Sequence, residues 1–191
     1  MTDDFIDTLR RQESEVVTSV MAFMSYNPSI GRVLEGGGVG KFQRLAAKLV
    51  DELPRAVGRE SFDQLHNRYM RCLITNVRTA RGRRLSYGQA QKPVNVFLKV
   101  YVDWAGRPTT AVRRRLIRHL HVPLDSVLMK TVKTHYPEWY DSIIRPYLKK
   151  RGQAISLAKM DKRLYLRWQE FFRREAPQNP LFFDLAWAVN R

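Results

Sequence analysis

The chain has 191 residues, enough for one sizeable core, and its 44% apolar and 11% aromatic content argues for a folded domain against intrinsic disorder. Its 34 Lys and Arg against 18 Asp and Glu leave a net charge of +16, far beyond what solubility asks for, so a polyanion is the natural partner: nucleic acid, an anionic membrane surface or an acidic protein. No run of about 18 apolar residues is present to span a bilayer, the acidic start Met1-Thr2-Asp3-Asp4-Phe5 lacks the pattern of a signal peptide, and the single cysteine, Cys72, excludes an internal disulfide or a Cys-rich zinc site.

These features point to one cytoplasmic domain over residues 1–191, expected to be a monomer with no membrane association. In residues 4–26 apolar side chains from Phe5 to Met24 recur at helical spacing, and Tyr26-Asn27-Pro28 is expected to stop that helix. Gly31 to Gly40 reads as a loop, and Lys41–Leu53 resumes the helical period through Phe42, Leu45, Ala46 and Leu49. A helix from about Ser61 to about Arg78 follows, with Phe62, Leu65, Tyr69, Leu73 and Val77 on one face. Its end leads into a basic segment, Arg78, Arg81, Arg83 and Arg84, punctuated by Gly82.

Ser86 to Lys92 reads as a glycine turn leading into a further helix that begins near Lys92 and runs to about Trp104, and a second basic run, Arg113-Arg114-Arg115 with Arg118, precedes His121-Val122-Pro123-Leu124-Asp125. Pro123 suits the first turn of a helix to about Thr134 because its missing amide hydrogen would be unpaired there. Ile144–Lys150 and Leu157–Arg174 complete the helical pattern, and no segment alternates convincingly with period two. The fold class is therefore all-α. The C-terminal Phe182, Phe183 and Trp187 read better as core than as pocket lining.

Gly36-Gly37-Gly38-Val39-Gly40-Lys41 invites comparison with a phosphate-binding loop, but it lacks the Gly-x-x-x-x-Gly-Lys spacing and places Phe42 where a Mg²⁺-binding hydroxyl belongs. The histidines His66, His119, His121 and His135 do not fall at metal-ligand spacing, and no Gly-x-Ser-x-Gly elbow occurs. The scattered carboxylates make a two-metal nuclease a weak alternative. No metal and no cofactor is expected.

Tyr87 to Asp125 carries more chemistry. Gly88 lets backbone approach a phosphate, and the start of the following helix offers unpaired amides, so Gly88 and Gln89 read as a grip on a nucleic-acid strand. A lysine at such a positive, partly desolvated helix start, here Lys92, is expected to have a lowered pKa and to serve as an amine nucleophile on a sugar C1′. Asp125 is placed to stabilise an oxocarbenium-like charge or to activate water. The plainer alternative makes Lys92 a solvated residue at a helix start and Asp125 a helix-capping acid.

Gly88-Gln89-Ala90-Gln91-Lys92-Pro93-Val94-Asn95-Val96-Phe97-Leu98-Lys99, followed by Val122-Pro123-Leu124-Asp125, resembles the helix-hairpin-helix superfamily of DNA glycosylases, and most the archaeal 8-oxoguanine glycosylase branch. The resemblance implies a multi-helix glycosylase-like fold with a divergent hairpin, the hairpin and catalytic segment spanning about residues 84–134, Lys92 opening the second hairpin helix and Asp125 beginning a later one. Leu85-Ser86-Tyr87-Gly88-Gln89 stands where the wider superfamily has a Leu-Pro-Gly-Val-Gly hairpin, and Val96 stands where an aromatic ring for stacking on the oxidised purine would be expected. A compact member with an altered pocket is also similar to phage-defence glycosylases that remove bulky modified pyrimidines such as glucosylated hydroxymethylcytosine.

The expected function is excision of a modified base from DNA, a nucleotide being flipped into a pocket by a protein that grips phosphates through Arg78, Arg81, Arg83, Arg84, Arg113, Arg114, Arg118 and His121. An associated strand-nicking activity follows if Lys92 attacks. The alternative is a non-catalytic basic protein that binds DNA or RNA, for which the arginine runs suffice.

Overall fold

The computed structural model, which describes residues 3–148 and 155–186, is all-α, as the periodicity predicts. Among the described residues the α-helices are α1 (Asp3–Ile30), α2 (Gly38–Glu52), α3 (Arg59–Asn76), α4 (Tyr87–Leu98), α5 (Thr110–Leu116), α6 (Ser126–His135), the single turn α7 (Pro137–Trp139) and α8 (Lys162–Glu175). Both α4 and α7 run on as wider π-helical turns, Lys99–Trp104 and Tyr140–Ile144. None of these helices is long and apolar enough to cross a membrane.

α4 is the hub, and the reason lies in its composition. Ala90, Val94, Phe97 and Leu98 are at most 1% exposed, and the polar Gln91 and Asn95 are as deeply buried, so this helix is enclosed on most of its circumference. It packs against α1, α3 and α8. Phe97 meets Phe42 of α2 edge-on, with ring centroids 6.1 Å apart.

Several boundaries differ from those predicted. Pro28 does not stop α1, which continues to Ile30. Tyr26 and Ile30 are buried, the Tyr26 ring lies 5.6 Å from that of Phe42, and burial at this end outweighs the amide hydrogen bond the proline cannot make. α2 starts at Gly38, three residues ahead of Lys41, and α8 starts only at Lys162, where the Asp161 carboxylate accepts the Leu164 amide at 2.8 Å. Phe183 joins an aromatic cluster with Phe172 (4.9 Å between ring centroids) and Phe171 (5.7 Å), as a core reading expects, but Phe182 is exposed. Trp187, Lys149 and Lys150 lie outside the described residues.

Between α3 and α4 the basic segment forms a tight hairpin. The Thr79 carbonyl accepts the Gly82 amide at 2.8 Å, Gly82 takes a φ of +70° that closes the turn, and the Thr79 amide donates to the Arg83 carbonyl at 2.8 Å. A neighbouring segment braces it, since the Ala80 amide donates to the Val33 carbonyl at 2.9 Å and the Glu35 amide to the Arg78 carbonyl at 3.0 Å. Arg81, Arg83 and Arg84 therefore project from fixed backbone into solvent.

The start of α4 also departs from expectation. The helix begins at Tyr87, where Ser86 and Gln89 form a capping box: the Ser86 hydroxyl accepts the Gln89 amide at 3.1 Å and the Gln89 side chain accepts the Ser86 amide at 3.0 Å. Gly88 lies inside the first turn, buried, with its amide bonded to the Met160 carbonyl at 3.1 Å. A Cβ there would meet the Leu157 carbonyl oxygen and lie 2.7 Å from the Met160 Cβ. Gly88→Ala is accordingly expected to destabilise the protein by about 1–3 kcal/mol, read as a lowered urea midpoint at unchanged slope.

Candidate functional site

Lys92 and Asp125, 33 residues apart in sequence, meet as an ion pair, the Lys92 Nζ donating to Asp125 Oδ2 at 2.8 Å. Neither side chain is free in solvent: that of Lys92 is 13% exposed and that of Asp125 30%. Lys92 sits in the second turn of α4, so it does not open the helix and faces none of the unpaired amides assigned to it from sequence. That environment belongs to Asp125, the N-cap of α6, whose Oδ1 accepts the Leu128 amide at 2.8 Å. The capping role and the pairing role, alternatives in the sequence, are held by the two oxygens of one carboxylate.

Why the chain reaches this geometry is visible just upstream. Leu120 to Leu124 are all buried but not helical, so their backbone groups need partners from elsewhere. Two buried glutamines supply them. Gln91 accepts the Leu124 amide at 3.1 Å and donates to the Leu124 carbonyl at 2.9 Å, while Gln169 of α8 accepts the Val122 amide at 2.8 Å and donates to the Val122 carbonyl at 3.0 Å. Held in this way, Pro123 lies ahead of α6 and not in its first turn, which corrects the boundary predicted from its missing amide. The residue that fixes Leu124 is the sequence neighbour of Lys92, so both halves of the ion pair are located by adjacent side chains on α4.

Gln91 in turn belongs to a buried polar chain. The Asn95 amide group donates to Gln91 Oε1 at 2.9 Å and to the Tyr165 hydroxyl at 2.9 Å, and Asn95 Oδ1 accepts from His66 Nε2 at 2.8 Å. Tyr165 contacts His121 Nδ1 at 2.6 Å, and His121 Nε2 contacts Asp63 at 2.9 Å. Asp63 also receives two hydrogen bonds from Arg173, at 2.7 and 3.1 Å. With the Tyr165 hydroxyl donating to Nδ1, the proton of a neutral His121 is on Nε2, aimed at the carboxylate.

Burial sets the charge states here. It pushes His121 down to about 4, against the opposing pull of the Asp63 hydrogen bond, and pushes His66 well below its ordinary value, with the nearby His121 acting in the same direction. Burial would raise the Asp63 carboxyl, but the hydrogen bonds from His121 and Arg173 outweigh it and hold Asp63 well below the usual carboxylate range.

The structure separates the predicted strand-contacting residues. Arg81, Arg83, Arg84, Arg114 and Arg118 are exposed. His121 is 2% exposed and neutral, so it is part of the internal network and not a phosphate contact. Arg78 caps the end of α3 by donating to the Thr75 carbonyl at 3.0 Å, and Arg113 makes two 2.8 Å bonds to Asp103, so both guanidinium groups are engaged within the fold. Gly88 is buried with its amide already bonded, and the Gln89 side-chain oxygen closes the capping box, which corrects their expected grip on a strand.

A second ion pair, Lys99 with Asp184, was missed in the sequence. Lys99 follows Lys92 by two helical turns and pairs with Asp184 of the C-terminal 3₁₀ segment, both side chains at least nine-tenths buried, with the exposed Trp104 ring centroid 4.4 Å from the Lys99 Nζ. The i, i+7 recurrence of lysine on a largely buried helix was the available signal. Among the described residues no group of three or more His, Cys, Asp or Glu is arranged to hold a metal ion. No protein-family model matches the chain, and neither the curated proteins nor the solved structures compared with it include a significant match.

Proposed function

We propose that the protein is a DNA glycosylase that excises a modified base, with Lys92 and Asp125 as its reactive pair. The observation that supports this most directly is the 2.8 Å Lys92–Asp125 contact, largely shielded from solvent and built on a helix N-terminus in a strongly basic chain. A carboxylate held in place by an amide and an ammonium has the disposition needed to stabilise positive charge developing at a sugar C1′, or to take a proton from an attacking water. Lys92 then has two roles open to it. As an ammonium it orients Asp125; after passing a proton to that carboxylate it is an amine able to attack C1′ as the C1′–N bond to the base breaks, the proton on Asp125 going to the departing base, and opening of the sugar ring at C1′–O4′ then gives the Schiff base from which strand nicking follows.

A modified pyrimidine in phage DNA is the substrate proposed first, on the resemblance alone, since half-buried Val96, one turn beyond Lys92, stands where a ring for stacking on an oxidised purine is expected. The test is incubation with genomic DNAs of different modification, followed by mass spectrometry of released bases and borohydride trapping on the responsive substrate. A released base with a trapped protein–DNA adduct supports attack by Lys92; a released base without an adduct assigns the chemistry to Asp125 and water. Binding with no base released from any DNA would replace this reading with that of a non-catalytic nucleic-acid-binding protein, which the exposed Arg81, Arg83 and Arg84 favour independently.

A further inference from the structure

α2 and the C-terminal half of α3 enclose an open groove of about 410 Å³. Its cations are Lys41, Arg44 and Lys48, and no Asp or Glu lines it. Lys41 is braced, donating to Glu35 at 2.8 Å and to the Asn76 carbonyl at 3.0 Å, whereas among the described residues neither Arg44 nor Lys48 has an acidic partner. Leu45 on the α2 side and the buried Leu73 and Val77 on the α3 side offer no pattern of donors and acceptors with which to recognise one particular small molecule.

The groove is joined to the arginine hairpin. Glu35, which holds Lys41, donates its amide to the Arg78 carbonyl at 3.0 Å, and Asn76, which Lys41 also holds, ends α3 two residues before Arg78. The start of α2 and the hairpin that carries the exposed Arg81, Arg83 and Arg84 are therefore braced to one another. Along α2, positions 41, 44 and 48 recur at i, i+3 and i+7 and span about 10 Å of helix axis, close to the rise of about three base pairs at roughly 3.4 Å each.

We infer that this groove and the hairpin together form a docking surface for the phosphate backbone of duplex DNA, with Arg44 and Lys48 as phosphate contacts beyond those expected from sequence. A repeating anion with no required base pattern fits a row of three cations, two of which have no acidic partner among the described residues. The inference rests on DNA as the partner in the proposed function, but not on base excision.

Cys72, the single cysteine of the chain, lies in the wall of the groove, half-buried, and reports on its occupancy. A duplex oligonucleotide without modified bases is titrated against the full chain, and the rate of Cys72 alkylation by uncharged N-ethylmaleimide is followed. At about ten times Kd the rate is expected to fall about tenfold, tracking the fraction of free protein. The double variant R44Q/K48Q, at two exposed positions, is expected to lower the slope of log K against log salt by about 0.9 for each lost phosphate contact and to weaken binding about 10- to 30-fold at 0.15 M salt.

Unchanged alkylation in a complex shown to be saturated overturns the assignment, as does wild-type affinity and slope in R44Q/K48Q. An acidic peptide or a single-stranded RNA that binds more tightly than the duplex and protects Cys72 equally overturns DNA as the occupant. If the groove is protected but no DNA releases a base, the surface stands and the glycosylase reading falls. If a base is released while Cys72 reacts freely in the complex, the glycosylase reading stands and this surface falls.

Discussion

Asp125→Asn is expected to leave the fold and the affinity for DNA close to those of the wild type while lowering single-turnover base release by about two to four orders of magnitude, the usual contribution of a positioned acid or base. The choice of asparagine follows from the two jobs of this side chain. Asp125 Oδ1 caps α6 through the Leu128 amide, and asparagine is as good an N-cap as aspartate, so the cap persists. What is lost is the negative charge beside Lys92 and the ability to accept a proton. Asp125→Ala would remove the cap as well, at about 1 kcal/mol, and would confuse loss of chemistry with loosening of α6. The measurement is excision on the responsive substrate, alongside affinity for a non-cleavable duplex and a thermal unfolding curve. Equal losses in release and in stability would make Asp125 a structural cap and remove it from the reaction.

Acidification is expected to destabilise the protein steeply between about pH 6.5 and pH 4, a window set by His121. Burial lowers this imidazole from an ordinary 6.5 to about 4, so throughout that window the unfolded chain binds a proton that the folded chain does not. Stability is therefore fully present above pH 6.5, falls as pH drops through the window and levels off, as far as this group is concerned, below the folded value. One such group shifted between those limits is worth about 3 kcal/mol. His66, whose ring centroid is 4.2 Å from that of His121, is lowered by burial too and acts with the same sign. Asp63 adds to the loss only below the ordinary carboxylate pKa, where the unfolded chain takes up a proton that the folded carboxylate, held well below the usual range, does not.

Urea unfolding from pH 7.5 to pH 4 gives the proton uptake as the slope of stability against pH, and His121→Gln is expected to lower that slope by about one proton. A slope that does not change in His121→Gln would show that the histidine is not held neutral in the core. The same network ends at Gln91, which fixes the backbone beside Asp125, so loss of the ion-pair geometry is expected to accompany the loss of stability.

Much of this molecule is written locally. The helical period of its apolar residues, the absence of an alternating segment and the excess of arginine and lysine determined an all-α fold and a strongly basic chain, because those properties depend on neighbours three or four positions away and on summed charge. Lys92 and Asp125 were also picked out from sequence, partly through a resemblance carried by the stretch around them, and their meeting at 2.8 Å is a fact of the structure.

What local pattern did not contain was decided by groups brought together from distant parts of the chain. Gly88 looked like a residue for approaching phosphate, yet its close approach is to Leu157 and Met160. His121 looked available for a strand, yet burial against Asp63 and Tyr165 made it an internal neutral donor. Arg113 is indistinguishable in sequence from its neighbour Arg114, and only the position of Asp103 separates the engaged cation from the exposed one. Burial and hydrogen-bond completion are properties of three-dimensional neighbourhoods, and they settled which polar residues of this chain face inward to hold Lys92 and Asp125 and which remain on the surface.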